Sequence, residues 1–342
     1  MAVPSATQAG EIPHDKLVYG ANPEKVIALI QDRAARWRQG PPTPDGHKLG
    51  LVIEGGGMRA VCSGGGAVAL SHLGFGELFD EVYATSAGIM NASYFLSGQA
   101  KLGITVYYDC LSDGRFLNPK RFWKVLDVDF VIDHVVRELK PLDVDKILSA
   151  RSQLFVAAIN KRSGSGMMID AKKAGAPFLE VCRAAMAIPV LYNRAVNING
   201  YRCMDGGLAI PFPIHEAIAN GCTDLLVLLT RPPSYVCQAP GWGSRLLFDL
   251  MCAHGHRNLR ETYFQQGASS TAARDLAFGR KPAASTVNIA TICTGEDEVV
   301  QRTTMNREAL RAAAVRYGRK TLQVFGEPGE EWDLAPLHGV AA

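Results

Sequence analysis

The chain of 342 residues is 47% hydrophobic and 20% charged, a composition typical of a globular protein with a substantial core. Its 36 Lys and Arg residues nearly balance 33 Asp and Glu residues, so the formal charge of +3 gives no electrostatic reason to expect a nucleic-acid partner. Residues 1–16 lack the basic start and apolar run of a signal peptide, and no segment reaches the roughly 18 apolar residues of a membrane-spanning helix. These features predict a cytoplasmic protein whose membrane contact, if it has any, is peripheral.

Eight cysteines are scattered along the chain without a C-x-x-C pair, which is typical of reduced thiols rather than a disulfide framework. Cys252, His254 and His256 lie together in MCAHGH, but their alternate spacing around a glycine is no standard zinc pattern. The sequence therefore predicts no metal site and no cofactor.

The first predicted element is an amphipathic helix over residues 23–40, with an early proline, helical apolar spacing and a terminal glycine. The turn-forming segment PPTPDG follows at residues 41–46. We therefore interpret residues 1–46 as an N-terminal extension, residues 47–235 as the main domain, and residues 236–342 as a C-terminal part that packs on it.

Short apolar runs bounded by turn residues predict five strands, HKLGLVIE, DEVYATS, SQLFVAAIN, CTDLLVLLT and STVNIATIC. The runs are continuous rather than alternating, which favours strands covered on both faces. A closing helix is predicted over residues 306–325. We expect an α/β fold with a parallel or mixed sheet between helices.

Three consecutive glycines follow the first predicted strand, in the segment EGGGMRA. Residues 55–60 formally satisfy the dinucleotide-binding pattern G-x-G-x-x-A, but Asp80 and Glu81 precede the next strand instead of ending it, where a ribose-binding acid is needed. The alternative is an oxyanion hole, in which glycine N–H groups converge on a developing alkoxide. A second glycine run, residues 64–66, lies where a helix should start, and we interpret it as a position of close helix packing.

Ser86 stands between a predicted strand and a predicted helix in DEVYATSAGIMN, the arrangement of a nucleophile elbow. Ala84 replaces the first glycine of G-x-S-x-G, whereas Ala87 and Gly88 keep the crowded side of the turn small. A serine before a helix is by itself more often an N-cap, so this interpretation depends on its partners.

Asp205 follows a short strand-like segment and precedes two glycines that leave its carboxylate open to close approach. A D-G-G turn alone is usually structural. A nucleophilic serine needs a base, however, and Asp205 could accept its proton directly or orient a histidine that does so.

The segments EGGGMRAVCSGG, ATSAG and MDGG occur in the order of the motifs G-G-G-x-R-G, G-x-S-x-G and D-G-G/A, so the chain resembles the patatin-like phospholipase family from about residue 48 to residue 233. The resemblance implies a three-layer patatin-like α/β fold, with a mostly parallel central sheet flanked by helices, in which residues 47–235 form the catalytic domain. It also implies a dyad of Ser86 as nucleophile and Asp205 as general base. Further implied site residues are the oxyanion hole at Gly55, Gly56 and Gly57, and Arg59 holding that loop and its positive potential. Positions 60 and 84 depart from the family, since both carry alanine in place of glycine.

The expected function is a serine acyl hydrolase that cleaves lipid or lipid-like carboxylic esters, with phospholipase A or lysophospholipase activity as the family expectation. An acyltransferase would use the same dyad with an alcohol or amine as acceptor. A Ser-His-Asp esterase would instead recruit His215, His254 or His256. A non-catalytic lipid-binding protein would keep the fold alone. The apolar segment at residues 116–136 would line an acyl channel or lid, although core and surface helix is the simpler interpretation.

Overall fold

The computed structural model describes residues 16–40, 44–121, 124–192, 194–253, 256–281, 287–329 and 332–334. An eight-stranded sheet forms the centre of this part of the chain. Its strands are β1 (Leu49–Ile53), β2 (Glu81–Ala84), β3 (Gln153–Asn160), β4 (Gly166–Asp170), β5 (Val196–Ile198), β6 (Tyr201–Asp205), β7 (Asp224–Leu228) and β8 (Asn288–Ile292).

Five of the strands are parallel to one another, in the spatial order β3, β2, β1, β7 and β8. They are the five strands that the continuous apolar runs predict. Every residue of β1, β2 and β7 is buried, because helices cover both faces of the sheet there. The prediction of a mostly parallel sheet is therefore confirmed.

The other three strands are antiparallel. β4 and β6 both pair with β3, and β5 pairs with β6 at the edge of the sheet. β4 was not predicted from the sequence, since only Ile169 of its five residues is buried and it lacks a long apolar run. β6 is the strand-like segment that ends at Asp205.

The α-helices of the described residues are α1 (Pro23–Trp37), α2 (Val61–His72), α3 (Gly88–Leu96), α4 (Ala100–Thr105), α5 (Val144–Ser149), α6 (Phe178–Ala185), α7 (Ile214–Ala219), α8 (Trp242–Phe248), α9 (Arg257–Ala277) and α10 (Arg307–Val324). Short 3-10 turns lie at Gly57–Ala60 and Gly206–Leu208, and π-helical segments at Val106–Cys110, Phe130–Leu139 and Asp249–Ala253. The helices predicted at residues 23–40 and 306–325 correspond to α1 and α10.

Alternate residues of the central strands enter different hydrophobic clusters. Leu226 and Leu228 of β7 pack into a cluster that includes residues of α1, α2, α3 and α10. Leu225 and Val227 pack on the opposite face with residues of α7 and α9. The chain thus has the expected three-layer α/β fold. The domain boundaries at residues 46 and 235 stay predictions.

All eight cysteines are free thiols, and seven of them are buried. Burial raises the pKa of Cys182 to about 12 and that of Cys293 to about 11, so these buried groups are protonated thiols at neutral pH.

Candidate active site

Ser86 lies in the short turn between β2 and α3. Its φ is 54°, in the left-handed region that a serine rarely adopts unless the surrounding structure imposes it. A Cβ added to Gly88 would lie 2.6 Å from the carbonyl oxygen of Ile53, so the chain passes too close to β1 for a side chain at that position. The turn places Ser86 at the carboxyl end of the parallel strands, where α/β folds bind ligands.

Because β2 and β6 both pair with β3, the sheet register places Asp205 and Ser86 at the same position along the strand direction. β2 ends opposite Val156, and Asp205 pairs with Ala158 two residues further along β3. Ser86 is likewise two residues beyond the end of β2. The sheet register therefore brings together two residues that are far apart in the sequence.

The carboxyl group of Asp205 is buried and only partly hydrogen-bonded. Its Oδ1 accepts a hydrogen bond of 2.8 Å from the Gly207 amide, whereas Oδ2 has no partner among the described residues. Burial raises the pKa of Asp205 to about 6, against the opposing effects of the Ser86 hydroxyl, the Gly207 amide and the Arg302 charge. The Ser86 hydroxyl is near enough to lower this pKa without reaching hydrogen-bond geometry. Asp205 is consequently a stronger base than an ordinary aspartate.

The glycine loop packs directly against the Ser86 turn. A Cβ on Gly55 would lie 2.3 Å from the Thr85 carbonyl oxygen and 2.8 Å from the Cβ of Ser86. Gly56 and Gly57 have φ values of 131° and 61°, which favour glycine. The amides of Gly55 and Gly56 donate no hydrogen bond to a described residue, so they are available beside Ser86.

Arg59 is buried behind this loop. Its Nε donates to the Thr230 hydroxyl at 3.1 Å, and that hydroxyl donates in turn to the Gly55 carbonyl oxygen at 3.1 Å. Oε2 of Glu54 accepts from the Thr230 amide at 2.5 Å. Thr230 lies just beyond β7, so these bonds fix the loop to the neighbouring strand.

A narrow apolar cavity of about 40 Å³ begins at Ser86. It is lined by Gly57, Met58, Ser86, Ala87, Met90, Gly103, Val106, Tyr107, Leu111, Phe116, Leu126, Val128, Val131, Met186 and Ile188. Four of these side chains belong to residues 116–136. Residues 116–136 therefore contribute both to the buried core and to the wall of a cavity. The sequence alone could not decide between these two interpretations.

A wider groove of about 310 Å³ meets the apolar cavity at Ser86, and we call it the polar groove because its lining is much more polar than that of the cavity. All six predicted site residues line it, namely Gly55, Gly56, Gly57, Arg59, Ser86 and Asp205. Their juxtaposition in one groove agrees with the order of the motifs, while their chemical roles stay predictions.

Arg231, Arg274 and Arg302 also line the groove, and the sequence analysis missed them. The sequence could have predicted Arg231 as a site residue. It closely follows β7, which is parallel to β1, and the carboxyl ends of parallel strands meet at one edge of the sheet. Arg274 on α9 and Arg302 between β8 and α10 had no such signal, because only tertiary packing brings them to the groove.

Other expected chemistries find less support. No histidine of the described residues lines either cavity, and His215 is exposed on α7, whereas His254 lies outside the described residues. Asp80 accepts a hydrogen bond of 2.8 Å from the amide of Leu49, the first residue of β1. It thus lies at the opposite end of the sheet from the glycine loop, where it cannot serve a dinucleotide bound there. The described His, Cys, Asp and Glu side chains include no group of three or more that could hold a metal ion.

Comparison with known proteins agrees with this geometry. Residues 51–218 match the family model described as "Patatin-like phospholipase". A protein of Escherichia coli strain K12 named "Uncharacterized protein YjjU" is 27% identical over 205 residues, which cover 58% of this chain and 56% of that protein. The chain thus matches little more than half the length of this relative. Ser86, Asp205 and the glycine loop all lie within the matched residues, and the chain contains a patatin-like phospholipase domain over residues 51–218.

Proposed function

We propose that this protein is a serine acyl hydrolase that cleaves carboxylic esters of lipids or lipid-like molecules. The observation that carries the proposal is the position of Ser86, which lies beside a buried carboxyl group where an apolar cavity meets a polar groove. An ester with a hydrocarbon acyl chain and a polar alcohol has the same two-sided chemistry. The patatin-like phospholipase domain supports a lipid acyl hydrolase.

In the first half of the proposed reaction, Oγ of Ser86 attacks the ester carbonyl carbon. Asp205 accepts the hydroxyl proton on Oδ2, the carboxylate oxygen without a hydrogen-bond partner among the described residues. The amides of the glycine loop, Gly55, Gly56 and Gly57, donate hydrogen bonds to the carbonyl oxygen as it becomes negatively charged. When the C–O bond breaks, Asp205 returns the proton to the leaving alcohol, which leaves the acyl group on Ser86.

In the second half, water replaces the alcohol. Asp205 takes a proton from the water as its oxygen attacks the acyl carbon, and the glycine amides again stabilise the negative oxygen. Collapse of the intermediate breaks the bond to Ser86, whose oxygen recovers the proton from Asp205. The fatty acid is released and the dyad is restored without a histidine.

Hydrolysis of p-nitrophenyl esters with short and medium acyl chains tests the dyad. We expect Ser86→Ala and Asp205→Asn to lower kcat/KM by about 10³-fold or more, as loss of a nucleophile or its base does. His215→Ala and His256→Ala are matched controls that should retain activity. In the wild type, kcat/KM should fall about tenfold per pH unit below 6, because Asp205 must be ionised to accept the proton.

Activity that survives in Ser86→Ala would refute the proposed nucleophile. Activity lost in a histidine variant that still folds would indicate a triad instead of a dyad. A pH profile that stays flat between pH 7 and pH 5 would exclude Asp205 as the base.

We also propose that the protein contacts lipid surfaces through an apolar stripe on α8 and the segment after it. Trp242, Leu246 and Leu250 recur at four-residue spacing, and Trp242 and Leu250 are 84% and 70% exposed. The nearby Cys237 and Gln238 line the polar groove, so the stripe lies close to its mouth. None of the described helices combines the length and apolarity needed to cross a membrane.

Co-sedimentation with phosphatidylcholine vesicles tests this contact. The triple change Trp242→Ser, Leu246→Ser and Leu250→Ser should lower the bound fraction several-fold, since most of the exposed apolar area of the stripe is lost. Leu148→Ser removes an exposed apolar side chain on α5, whose residues do not line the groove, and should leave binding unchanged. Equal binding by the wild type and the triple variant would refute the contact.

A further inference from the structure

Two buried polar side chains hold the ends of the glycine loop, and the reaction proposed above uses neither of them. Ser63 on α2 is fully buried, and Asn91 on α3 is 5% exposed. The hydroxyl of Ser63 donates to the carbonyl oxygen of Glu54 at 2.8 Å and to that of Ala60 at 3.0 Å. Glu54 precedes the first glycine of the loop, and Ala60 ends the 3-10 turn that follows it. One hydroxyl therefore bridges the two ends of the loop.

The side-chain amide of Asn91 completes this bridge. Its Nδ2 donates to the Ala60 carbonyl oxygen at 2.8 Å and to the Ser63 hydroxyl oxygen at 3.2 Å. Its Oδ1 accepts a hydrogen bond of 3.1 Å from the Tyr107 hydroxyl. A carbonyl oxygen only accepts, so the amide must present its nitrogen to Ala60 and its oxygen to Tyr107. Both polar atoms of Asn91 thus have partners in one fixed orientation.

Asn91 connects the glycine loop to the helix that follows the proposed nucleophile. α3 begins two residues after Ser86, and Asn91 lies five residues after it. The hydrogen bonds through Thr230 fix the loop to a different element, the end of β7. Glycine is conformationally permissive, so a loop of three glycines needs bonds from outside to keep one shape. The bonds from Asn91 are the ones that relate this shape to the element that carries Ser86.

We propose that Ser63 and Asn91 are positioning residues that hold the glycine amides at the carbonyl oxygen of the ester as it becomes negatively charged. The inference rests on the proposed function and adds two residues to its mechanism. Neither side chain lines the apolar cavity or the polar groove, so each acts on the substrate only through the glycine loop. Position matters because donors for an oxyanion must be preorganised, and a displacement near 1 Å costs about 100-fold in rate.

Tyr107 connects the pair to the apolar cavity. Its ring is part of the cavity wall, and its hydroxyl donates to Asn91. Burial raises the pKa of Tyr107 well above its usual range, so the hydroxyl keeps the proton that it donates. Tyr107 lies in the π-helical segment Val106–Cys110, and such segments are frequent at functional sites. The hydrogen bonds thus run from the wall that would contact an acyl chain to the loop that would bind its carbonyl oxygen.

Hydrolysis of p-nitrophenyl butyrate by Asn91→Leu and Ser63→Ala tests the pair. Leucine resembles asparagine in shape but removes the Nδ2 donors, and alanine removes the Ser63 hydroxyl with little change in volume. We expect kcat to fall about 10- to 100-fold in Asn91→Leu and about tenfold in Ser63→Ala, with KM within about twofold of the wild type, since an interaction made in the transition state is lost. Tyr107→Phe keeps the ring in the cavity wall and should lower kcat about threefold, as loss of one hydrogen bond does.

Ser93→Ala is the matched control. Ser93 is also fully buried and lies on α3, but its hydroxyl donates to the carbonyl oxygen of Ile89 in the same helix. The variant makes the same change as Ser63→Ala without removing a bond to the glycine loop. It should therefore keep the wild-type kcat and KM.

Two ketone inhibitors distinguish displacement of the loop from a general disturbance of the core. An octyl trifluoromethyl ketone forms a bond from Oγ of Ser86 to its carbonyl carbon, the carbonyl electron pair moves to the oxygen, and Asp205 takes the hydroxyl proton. The glycine amides bind the resulting oxyanion, as they would in the transition state. Octyl methyl ketone has the same chain and forms very little of this adduct. We expect the inhibition constant of the trifluoromethyl ketone to rise by about the factor by which kcat falls, and that of the methyl ketone to stay unchanged.

Unchanged kcat in the folded variants would overturn the proposal. Equal weakening of both ketones would also overturn it, because that result indicates a general disturbance of the core. Circular dichroism checks folding at the assay temperature, and Ser63→Ala decides the question if Asn91→Leu does not fold. Ser86→Ala must abolish hydrolysis and the preference for the trifluoromethyl ketone over the methyl ketone; if it does not, the proposed function fails instead.

Discussion

The two glycine triplets, residues 55–57 and 64–66, have identical sequences but different structural roles. The first triplet leaves β1 in a loop, with positive φ at Gly56 and Gly57. The second lies inside α2, where none of its members has a positive φ. The first triplet needs glycine for its backbone shape and its approach to Ser86, whereas the second needs it for space alone.

The atoms nearest to the second triplet show which element occupies the space that its missing side chains leave. A Cβ on Gly65 would lie 2.2 Å from the carbonyl oxygen of Ala314 on α10, and one on Gly66 would lie 2.8 Å from the Tyr317 ring. The second run therefore allows α2 and α10 to pack closely, as predicted from its place in the sequence. A glycine run thus indicates a tight approach, and only its position relative to strand ends indicates whether a ligand or another helix makes it.

Among changes in and beside the two triplets, Gly55→Ala should have the largest effect on activity. Its Cβ would overlap the backbone at Thr85 and the Cβ of Ser86, so the loop or the proposed nucleophile must move. A displacement near 1 Å at a reacting group costs about 100-fold in rate, and we expect at least that loss in kcat/KM for p-nitrophenyl butyrate. Gly76→Ala is the control, because Gly76 has open space around it and no positive φ.

Circular dichroism must show that Gly55→Ala is folded at the assay temperature, so that the loss reflects the site. A folded variant with wild-type kcat/KM would remove the distinction between the two triplets.

Gly65→Ala should have an intermediate effect, and on stability rather than catalysis. The added methyl group would meet the backbone of α10, and overpacking of this kind costs about 1–3 kcal/mol, from which the better helix propensity of alanine subtracts about 1 kcal/mol. Urea unfolding should therefore show a loss of up to about 2 kcal/mol, with kcat/KM unchanged in the folded protein. A variant of unchanged stability whose activity falls tenfold would assign the second triplet to the site.

The five parallel strands and β6 were predictable from the sequence, whereas the antiparallel strands β4 and β5 were not. β1 and β7 are buried on both faces, so their sequences are unbroken apolar runs that few other elements produce. β4 and β5 carry exposed or half-exposed residues, and they form because β3 and β6 offer edges to pair with. Such pairing depends on tertiary structure, which a local pattern does not report.

The candidate site likewise contains residues that the sequence predicted and residues that it did not. Ser86, Asp205 and the glycine loop lie at strand ends, where sequence motifs and sheet register locate them together. Arg274 comes from the middle of α9, and its burial in the groove depends on how that helix packs. The sequence motifs thus predicted the residues at the strand ends, and the structure adds arginines that line the same groove.

Ala60→Gly should have the smallest effect, although this position departs from the family pattern. Ala60 has φ of −62° and ψ of −9°, a right-handed conformation that every residue adopts easily. Its carbonyl oxygen accepts a hydrogen bond of 2.8 Å from the Asn91 side chain, and the substitution leaves that backbone group in place. We expect kcat/KM to stay within about threefold of the wild type and stability to fall by at most about 1 kcal/mol, since glycine is the poorer helix residue. A rise of tenfold or more in kcat/KM would mean that the methyl group of Ala60 displaces the glycine loop from its best geometry. The backbone shape of the first triplet would then depend on Ala60 as well as on its own glycines.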